Sequence, residues 1–303
     1  MVPRFSASAP LDLLEQRPAR TAQRVALSFE VIPPRHDADD AKIAGLIDTL
    51  ARFDPDYVAV TSSRRSGWLE GTAAFIERIS YATDMRPLAH LACTAGPTHE
   101  LEGWIDRLVD SGVRGLLALR GDLPEGETAL PPDHLPHADA LVRLIRQRET
   151  AQFARFAAGR LAVGVACYPN GHAESASLDE DLDVLLTKQR LGADFAITQL
   201  FFDAEDFLRF QQRARLAGVH IPLIPGIMPM TSLARVHRMS ELSGVPVPDR
   251  LERRLRGDPT AGLELTVQLA GELLRGGAPG LHMYTHNDAE LTTTILSEIG
   301  IHP

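Results

Sequence analysis

The stretch Val25-Ala-Leu-Ser-Phe-Glu-Val-Ile32, followed by Pro33 and Pro34, is the part of the sequence that best indicates the fold. It is a short, almost continuous apolar run, which is typical of a strand buried on both faces of a parallel sheet. Glu30 interrupts the run near its end. A carboxylate is costly to bury as a charge, so Glu30 is expected to be paired or to keep its proton at neutral pH. It is therefore a candidate catalytic acid, and an ion pair with an arginine is the alternative.

Seven further apolar, β-rich runs follow, and helical patterns separate them. In the helical segments apolar residues recur every three or four positions, as in Leu101, Ile105 and Leu108. With the first run, the predicted strands are Val25 to Val31, Tyr57 to Thr61, Pro87 to Cys93, Gly115 to Leu119, Leu161 to Cys167, Phe195 to Gln199, Ile221 to Pro225 and Leu281 to Tyr284.

Eight βα units in a chain of 303 residues have the size of a TIM (β/α)8 barrel. A doubly wound open sheet is the structural alternative, but eight units are the number that closes a barrel. No break in composition, internal repeat or low-complexity tract indicates a second domain. We predict an N-terminal arm over residues 1–24, a single barrel catalytic domain over 25–303, and an extra helix between strands seven and eight within Pro246 to Pro259.

Composition argues against several classes of protein. The net charge of -9 and the pI near 5.7 argue against a general nucleic-acid surface, which needs a clustered basic face. The two cysteines, Cys93 and Cys167, lie far apart and form neither a disulfide framework nor a zinc spacing, so buried free thiols and no metal site are expected. No stretch approaches the roughly 18 consecutive apolar residues of a membrane span. We expect a soluble, cytoplasmic protein.

The residues that end the predicted strands are unusually polar. In a TIM barrel these positions form the active site. His90 alone could be a core histidine, and Tyr168 and Tyr284 could be rim packing. The polar positions are Glu30, Thr61, His90, Arg120-Gly121-Asp122, Tyr168 with the nearby His172, Gln199 and Tyr284.

The segment Arg120-Gly121-Asp122 is the most specific of these strand ends. It places a fixed cation, a glycine that permits close backbone approach and an anion at consecutive positions. This arrangement suits a ligand with both phosphate and polar ring edges, and an internal ion pair across the turn is the alternative. The sequence contains neither a Gly-rich dinucleotide fingerprint nor a Walker loop, so any nucleotide would be bound in a different way.

Five longer motifs contain or adjoin these strand ends. They are LSFEVIPPR from Leu27, LALRGDLP from Leu117, GADFAITQLFFD from Gly192, IPLIPGIMP from Ile221 and LHMYTHNDAE from Leu281. In this order they resemble the methylenetetrahydrofolate reductase family, folate-linked flavoproteins with a TIM barrel. The resemblance extends from about Leu27 to Gly300.

The resemblance implies reduction of 5,10-methylenetetrahydrofolate to 5-methyltetrahydrofolate in one-carbon metabolism and methionine biosynthesis. In family members NADH or NADPH reduces FAD and leaves, and the folate then takes its place. Glu30 matches the family's general acid, and a pKa raised by burial would keep it protonated at neutral pH. Asp122 matches an aspartate near the flavin that hydrogen-bonds the pterin ring.

The resemblance also assigns binding residues. Arg120 and Lys188 would face the pyrophosphate of FAD, and Gln199 would meet both folate and nicotinamide. The positions that match cofactor contacts are Thr61, Ser62, His90, Arg120, Gly121, Asp122, Ala138, Tyr168, His172, Asp181 and Lys188. Those assigned to the substrate are Asp122, Gln199, Tyr284 and Arg235.

Several residues depart from the family pattern. Ser62-Ser63-Arg64-Arg65 replaces the usual Tyr-Gly-Ala type of loop against the flavin. Arg64 and Arg65 could hold a folate's glutamate tail or the 2'-phosphate of NADPH, or could be solvated surface charges. Four further residues differ from the type that is common in the family. His137 replaces a tyrosine, Val184 a polar flavin ligand, Arg235 a glutamine and Asp288 an arginine.

These departures leave three functional hypotheses. The first is the flavin-dependent reductase, with folate and a nicotinamide nucleotide as its ligands and a possible homo-oligomer as its assembly. The second is a flavin-independent reductase of the same fold with direct hydride transfer. The third is a barrel that binds folate or a partner protein without turnover. Because the chain ends at Pro303, no regulatory domain like that of eukaryotic relatives is expected.

Overall fold

The computed structural model describes residues 25–34, 40–62, 68–123, 126–127, 129–157 and 159–303. The predicted N-terminal arm and the predicted Arg64 and Arg65 patch lie outside these residues. Nine parallel strand segments form one sheet. They are β1 Ala26–Val31, β2 Tyr57–Val60, β3 Pro87–Ala92, β4 Gly115–Leu119, β5 Ala162–Cys167, β6 Phe195–Thr198, β7 Leu223–Ile224, β8 Gly226–Ile227 and β9 Gly280–Tyr284.

The sheet closes into the predicted TIM barrel. Strands β1 to β6 pair in chain order, and β1 also pairs with β9. The seventh strand was predicted as Ile221 to Pro225, but this strand position holds two short segments on either side of Pro225, of which β7 pairs with β6 and β8, beyond the predicted end, pairs with β9. Proline has no N–H to donate to a sheet, but its carbonyl accepts from the main-chain N of His282 at 3.0 Å. The two segments together occupy one strand position.

Ten helices surround this sheet in the described part of the chain. The predicted extra helix between strand positions seven and eight is present as the eighth of them. The helices are α1 Asp40–Ala51, α2 Trp68–Ala82, α3 Thr98–Asp110, α4 Ala138–Ala151, α5 Leu178–Arg190, α6 Ala204–Ala217, α7 Leu233–Ser243, α8 Asp249–Gly257, α9 Gly262–Arg275 and α10 Ala289–Glu298.

The barrel buries its strands on both faces, which explains their continuous apolar runs. The larger core lies between the sheet and the helices and includes Phe29, Val58 and Phe207. A smaller core fills the inside of the barrel and includes Tyr57 and Phe195, whose ring centroids are 5.4 Å apart. Filling both sides of the sheet leaves room for polar groups only near the upper layers of the barrel.

Strand register arranges these polar groups in rows. Ser28 on β1 lies opposite Tyr57 on β2 and His282 on β9. One layer nearer the C-terminal ends, Glu30 lies opposite Tyr284. Because successive inward side chains along a strand are two residues apart, the same faces of β1 and β9 bring Ser28, Glu30, His282 and Tyr284 together.

Both cysteines are buried free thiols, as predicted. Burial is the main reason why the pKa of Cys93 and that of Cys167 are each raised to about 12. Such thiols are protonated at neutral pH, so neither is an activated nucleophile. Among the described residues no helix is both long enough and apolar enough to cross a membrane.

Candidate active site

Glu30 lies inside the mouth of the barrel between two histidines. Its Oε2 is 3.3 Å from Nε2 of His90 on β3 and 3.6 Å from Nε2 of His282 on β9. The exposed fractions of the side chains are 17% for Glu30, 14% for His90 and 0% for His282. Neither of these two Nε2 atoms is in hydrogen-bond geometry with a described residue. The three side chains form a compact acid–base cluster, called here the Glu30–histidine cluster.

The electrostatics of this cluster correct the expectation that the pKa of Glu30 is raised. Burial, the largest single influence, does raise it, but the charges and hydrogen-bonding capacity of His90 and His282 together lower the pKa to about 2. An imidazolium next to a carboxylate favours the ionised carboxylate. Glu30 is therefore an anion at neutral pH. The arginine partner considered as the alternative is replaced by this histidine pair.

The loop after β9 fixes the end of β1 above the cluster. Thr285 donates to the main-chain oxygen of Glu30 from its hydroxyl at 2.7 Å and from its main-chain N at 3.3 Å. Asn287 accepts from Ile32 N at 2.9 Å and donates to Ile32 O at 2.7 Å. These bonds hold Glu30 on a rigid main chain, which reduces the freedom of its short side chain.

Tyr284 closes the cluster on the opposite side. Its hydroxyl donates to Thr198 O at 3.2 Å, and its ring contacts His282 edge-on with centroids 5.1 Å apart. Gly226 makes room for it, since a Cβ there would lie 2.6 Å from the Tyr284 ring. Burial raises the pKa of Tyr284 well above its ordinary value. Tyr284 therefore contributes a neutral hydroxyl to the site.

A cavity of about 440 Å³ lies between the ends of strands β4 and β5 and helices α4 and α5. Two residues at which the sequence departs from the family pattern, His137 and Val184, also line it. Six of the predicted cofactor-binding residues line this cavity, namely Arg120, Ala138, Tyr168, His172, Asp181 and Lys188.

Lys188 is the most unusual group in this cavity. Its side chain comes from α5, the residue is 7% exposed, and its Nζ donates to Ala166 O at 3.1 Å. Burial lowers its pKa. Asp181 on the same helix accepts from His172 N at 2.9 Å and from Ser175 Oγ at 2.6 Å, so it orders the loop after β5. A buried cation and an ordered loop thus face the same space.

At the end of β4 the structure separates Arg120 from Asp122. Arg120 forms an ion pair with Glu174, whereas Asp122 is exposed, so the internal ion pair considered across this turn does not form. Gly121 has φ +84°, and a Cβ at this position would lie 2.0 Å from Thr94 Oγ1. This turn therefore requires glycine, both for its left-handed conformation and for its close contact with Thr94.

The other predicted site residues are placed around the mouth. Thr61 follows β2, and its carbonyl accepts from Thr72. Ser62 Oγ and Arg235 Nη1 are buried atoms without a hydrogen-bond partner among the described residues. Gln199 follows β6, and its side-chain oxygen accepts from Leu200 N at 2.8 Å. Asp288 caps α10 by accepting from Leu291 N at 3.0 Å.

Sequence reasoning missed Ser28, His282 and Glu174. Ser28 Oγ lies 2.9 Å from His282 Nδ1, directly beneath Glu30. The signal for His282 was its spacing of two residues from Tyr284, which puts both on the inner face of β9. Glu174 had no comparable signal, because it lies in a loop. Among the described residues no group of three or more His, Cys, Asp or Glu side chains could hold a metal ion.

Similarity to solved structures supports the barrel. Tryptophan synthase subunit alpha from Legionella pneumophila superposes with a TM-score of 0.54 at 10% identity, covering 97% of this chain and 94% of that chain. Oxaloacetate acetylhydrolase gives a TM-score of 0.54 at 14% identity, covering 95% of this chain and 82% of that chain. At such low identity these matches show the fold alone.

Sequence comparison is far more specific. The family model for methylenetetrahydrofolate reductase matches residues 13–300. The 5,10-methylenetetrahydrofolate reductase of Escherichia coli strain K12 is 31% identical over 306 residues, 99% of each chain. Methylenetetrahydrofolate reductase 1 of Schizosaccharomyces pombe is 30% identical over 293 residues, which is 92% of this chain and 46% of that relative. With a match over nearly its whole length, the chain belongs to the methylenetetrahydrofolate reductase family.

Proposed function

We propose that the protein reduces 5,10-methylenetetrahydrofolate to 5-methyltetrahydrofolate with NADH or NADPH, through bound FAD, and that Glu30 is the acid facing the substrate. The observation that carries this proposal is the Glu30–histidine cluster at the barrel mouth in a chain of this family. A hydride cannot attack the bridging methylene until the five-membered ring opens to an iminium. Opening requires a proton on the nitrogen that leaves.

The two histidines allow Glu30 to deliver that proton although its own carboxylate is ionised in the free protein. As the leaving nitrogen gains electron density, a proton passes from an imidazolium to Glu30 and from Glu30 to the nitrogen. The histidine is left neutral. Ser28 supports both forms of His282, because its hydroxyl can accept from a protonated Nδ1 or donate to a bare one at the observed 2.9 Å.

The donors around the cavity fit the pyrophosphate of FAD. Helix α4 begins at the cavity, and its N-cap residue His137 makes no side-chain capping bond, so the N-terminus of the helix suits an anion. Lys188 supplies a buried cation, and Arg120 a second one that is held by Glu174. These three groups would hold the pyrophosphate. When bound, FAD would take a hydride from the nicotinamide and supply it to the folate.

Replacing Lys188 with methionine is expected to weaken FAD binding by at least about tenfold, since a charge-assisted hydrogen bond is lost. The same change is expected to raise the melting temperature of the FAD-free protein, because it removes a buried cation whose hydrogen-bond partner is a main-chain carbonyl. A fluorescence titration with FAD and a thermal melt measure the two effects.

The chain offers a matched control, because Lys42 is its other lysine and is exposed. Lys42→Met should change neither FAD affinity nor melting temperature. A Lys188→Met protein that binds FAD as tightly as the wild type would place the pyrophosphate elsewhere.

Asp122, Gln199, Tyr284 and Arg235 are proposed to contact the folate. Asp122 is exposed at the end of β4, where its carboxylate is available to a pterin ring. Asp122→Asn is expected to lower kcat/KM for the folate roughly tenfold to a hundredfold through loss of a charged hydrogen bond, with an unchanged melting temperature. Steady-state kinetics measure it, and Asp84→Asn, at an exposed position before β3, is the control. A large fall in melting temperature would contradict this role.

A visible spectrum of the purified protein, followed by an assay of methylenetetrahydrofolate reduction, tests the proposal directly. Bound or added flavin together with folate reduction is expected. The flavin-independent reductase is the second candidate, and the exposed Val184 on the cavity wall favours it, since a polar flavin ligand would be expected there. Folate reduction by a protein that binds no FAD, with ternary-complex kinetics, would establish the second candidate instead.

A further inference from the structure

Glu174 forms an ion pair with one of the two cations that are proposed to hold a pyrophosphate. It lies in the loop between β5 and α5, and its partner Arg120 follows β4. The exposed fractions of the two side chains are 54% for Glu174 and 24% for Arg120. Both residues line the cavity. The ion pair therefore lies on the cavity wall, where a ligand anion would have to meet Arg120.

Positive charge is scarce in this cavity. Among the described residues that line it, Arg120 and Lys188 carry a fixed positive charge. Glu180 and Asp181 accept hydrogen bonds from the loop after β5, whereas Glu174 binds a cation. A dianionic ligand therefore needs both cations, and the pairing with Glu174 withholds one of them. The carboxylates that line the cavity are those of Asp139, Glu174, Glu180, Asp181 and Asp183.

The main chain that carries Glu174 is held in place independently of the ion pair. Asp181 accepts from His172 N at 2.9 Å and from Ser175 Oγ at 2.6 Å, on the two sides of Glu174 in the loop. Glu174 N itself donates to His172 Nδ1 at 3.2 Å. The exposed carboxylate can therefore rotate into water while the loop keeps its shape. Since water solvates a carboxylate well, the cost is that of breaking one partly exposed ion pair.

A diphosphate ligand has the means to displace this carboxylate. Glu174 contacts a single guanidinium nitrogen of Arg120, Nη1. Phosphate oxygens can engage two guanidinium N–H groups at once, and a ligand that is also held by Lys188 presents its phosphate to Arg120 at a high local concentration. Displacement is favourable for such a ligand, but the free energy of the broken ion pair is subtracted from its affinity.

We propose that Glu174 is an internal competitor of diphosphate ligands. Its carboxylate holds Arg120 in the free protein, leaves when a diphosphate enters, and so lowers the affinity of the cavity for a diphosphate ester. The inference rests on the proposed function, in which this cavity holds the pyrophosphate of FAD. It adds that Glu174 makes the site weaker than its cations allow, because only molecules with an unpaired Arg120 are ready to bind.

Glu174→Gln tests this inference because it keeps the shape of the side chain and removes its charge. ADP is the probe, since it carries a diphosphate ester but no flavin. In calorimetric titrations of the flavin-free protein, Glu174→Gln should bind ADP about twofold to fivefold more tightly than the wild type, the factor expected for releasing an ion pair of this exposure. In an Arg120→Met background the same change should leave ADP affinity unaltered. Glu77→Gln, which breaks an exposed ion pair with Arg107, should also leave it unaltered.

The opposite results are distinct. Equal or weaker ADP binding in Glu174→Gln would show that Glu174 does not compete with the ligand, and would overturn the inference. An equal gain in the Arg120→Met background would overturn it too, because the carboxylate would then act by its charge alone. The absence of ADP binding in both proteins would have the same consequence. A wild-type protein that gives the expected ADP results but does not reduce methylenetetrahydrofolate with added FAD would overturn the proposed function alone.

Discussion

Replacing Glu30 with glutamine is expected to slow methylenetetrahydrofolate reduction about 100-fold to 10,000-fold, the range that general acid catalysis contributes. Glutamine has nearly the same shape, but its amide cannot receive a proton from an imidazolium and pass it on. His90 and His282 would keep their places while losing their link to the substrate. The loss is expected in kcat more than in KM, because the proton moves only as the ring opens.

Two further measurements show that this loss is chemical. Folate binding, followed by titration, should persist, because other residues are proposed to bind the pterin. Oxidation of NADH or NADPH with a quinone as acceptor should also largely persist, because it needs no proton on a folate nitrogen. Glu77→Gln is the matched control, since Glu77 forms a surface ion pair with Arg107 and should leave every rate unchanged. Equal loss of folate reduction and NAD(P)H oxidation in Glu30→Gln would show that Glu30 is structural.

The barrel was predictable because its strands are buried on both faces. Each continuous apolar run marks a strand, and the polar residue that ends it marks the barrel mouth. The split of the seventh strand at Pro225 was not predictable from its apolar run, because the run reads as one strand from Ile221. The strand is divided because its first segment pairs with β6 and its second segment pairs with β9.

The position of Glu30 at the end of β1 could be predicted from the sequence, but its protonation state could not. Sequence shows that Glu30 is inside a strand, and burial alone does raise its pKa. The opposite net shift comes from His90 and His282. His282 is about 250 residues away in the chain and becomes a neighbour only because β9 pairs with β1. The local sequence determines the cost of burying the Glu30 carboxylate, whereas closure of the barrel brings in charges that outweigh this cost.

The residues around the cavity show the same difference between what the local sequence indicates and what the fold decides. The charge and polarity of Arg120, Lys188 and Asp181 could be read from the sequence, but not which of them would already be neutralised. Glu174 pairs with Arg120 from a loop between β5 and α5, a contact that depends on the path of that loop. Lys188 by contrast has a main-chain carbonyl as its hydrogen-bond partner. An anion that enters the cavity would therefore contact the buried Lys188 directly, but it would have to compete with Glu174 for Arg120.

The second large effect is expected at the opposite end of the barrel, where Arg146→Met should destabilise the protein by about 3–5 kcal/mol. Arg146 on α4 is 15% exposed and bonds Glu149 at 2.7 Å, Asp194 at 2.6 Å, and the main-chain oxygens of Leu161 at 2.8 Å and Gly192 at 2.7 Å. It thus ties one helix to the start of two strands. Methionine fills the space but leaves two buried carboxylates without this partner.

The pH dependence of this loss identifies its cause. Burial is the largest influence on the pKa of Asp194 and raises it, while Arg146 opposes the rise. Without Arg146 the folded-state pKa would rise further above the unfolded value, so the folded variant would bind a proton as the pH falls. The stability deficit should therefore be largest at neutral pH and shrink in acid. Urea unfolding at several pH values measures it.

Arg209→Met, which removes exposed ion pairs on α6, should cost less than about 1 kcal/mol at any pH. A deficit of that small size for Arg146→Met, or one that grows in acid, would contradict the assignment, because protonation relieves a buried carboxylate that has lost its arginine partner.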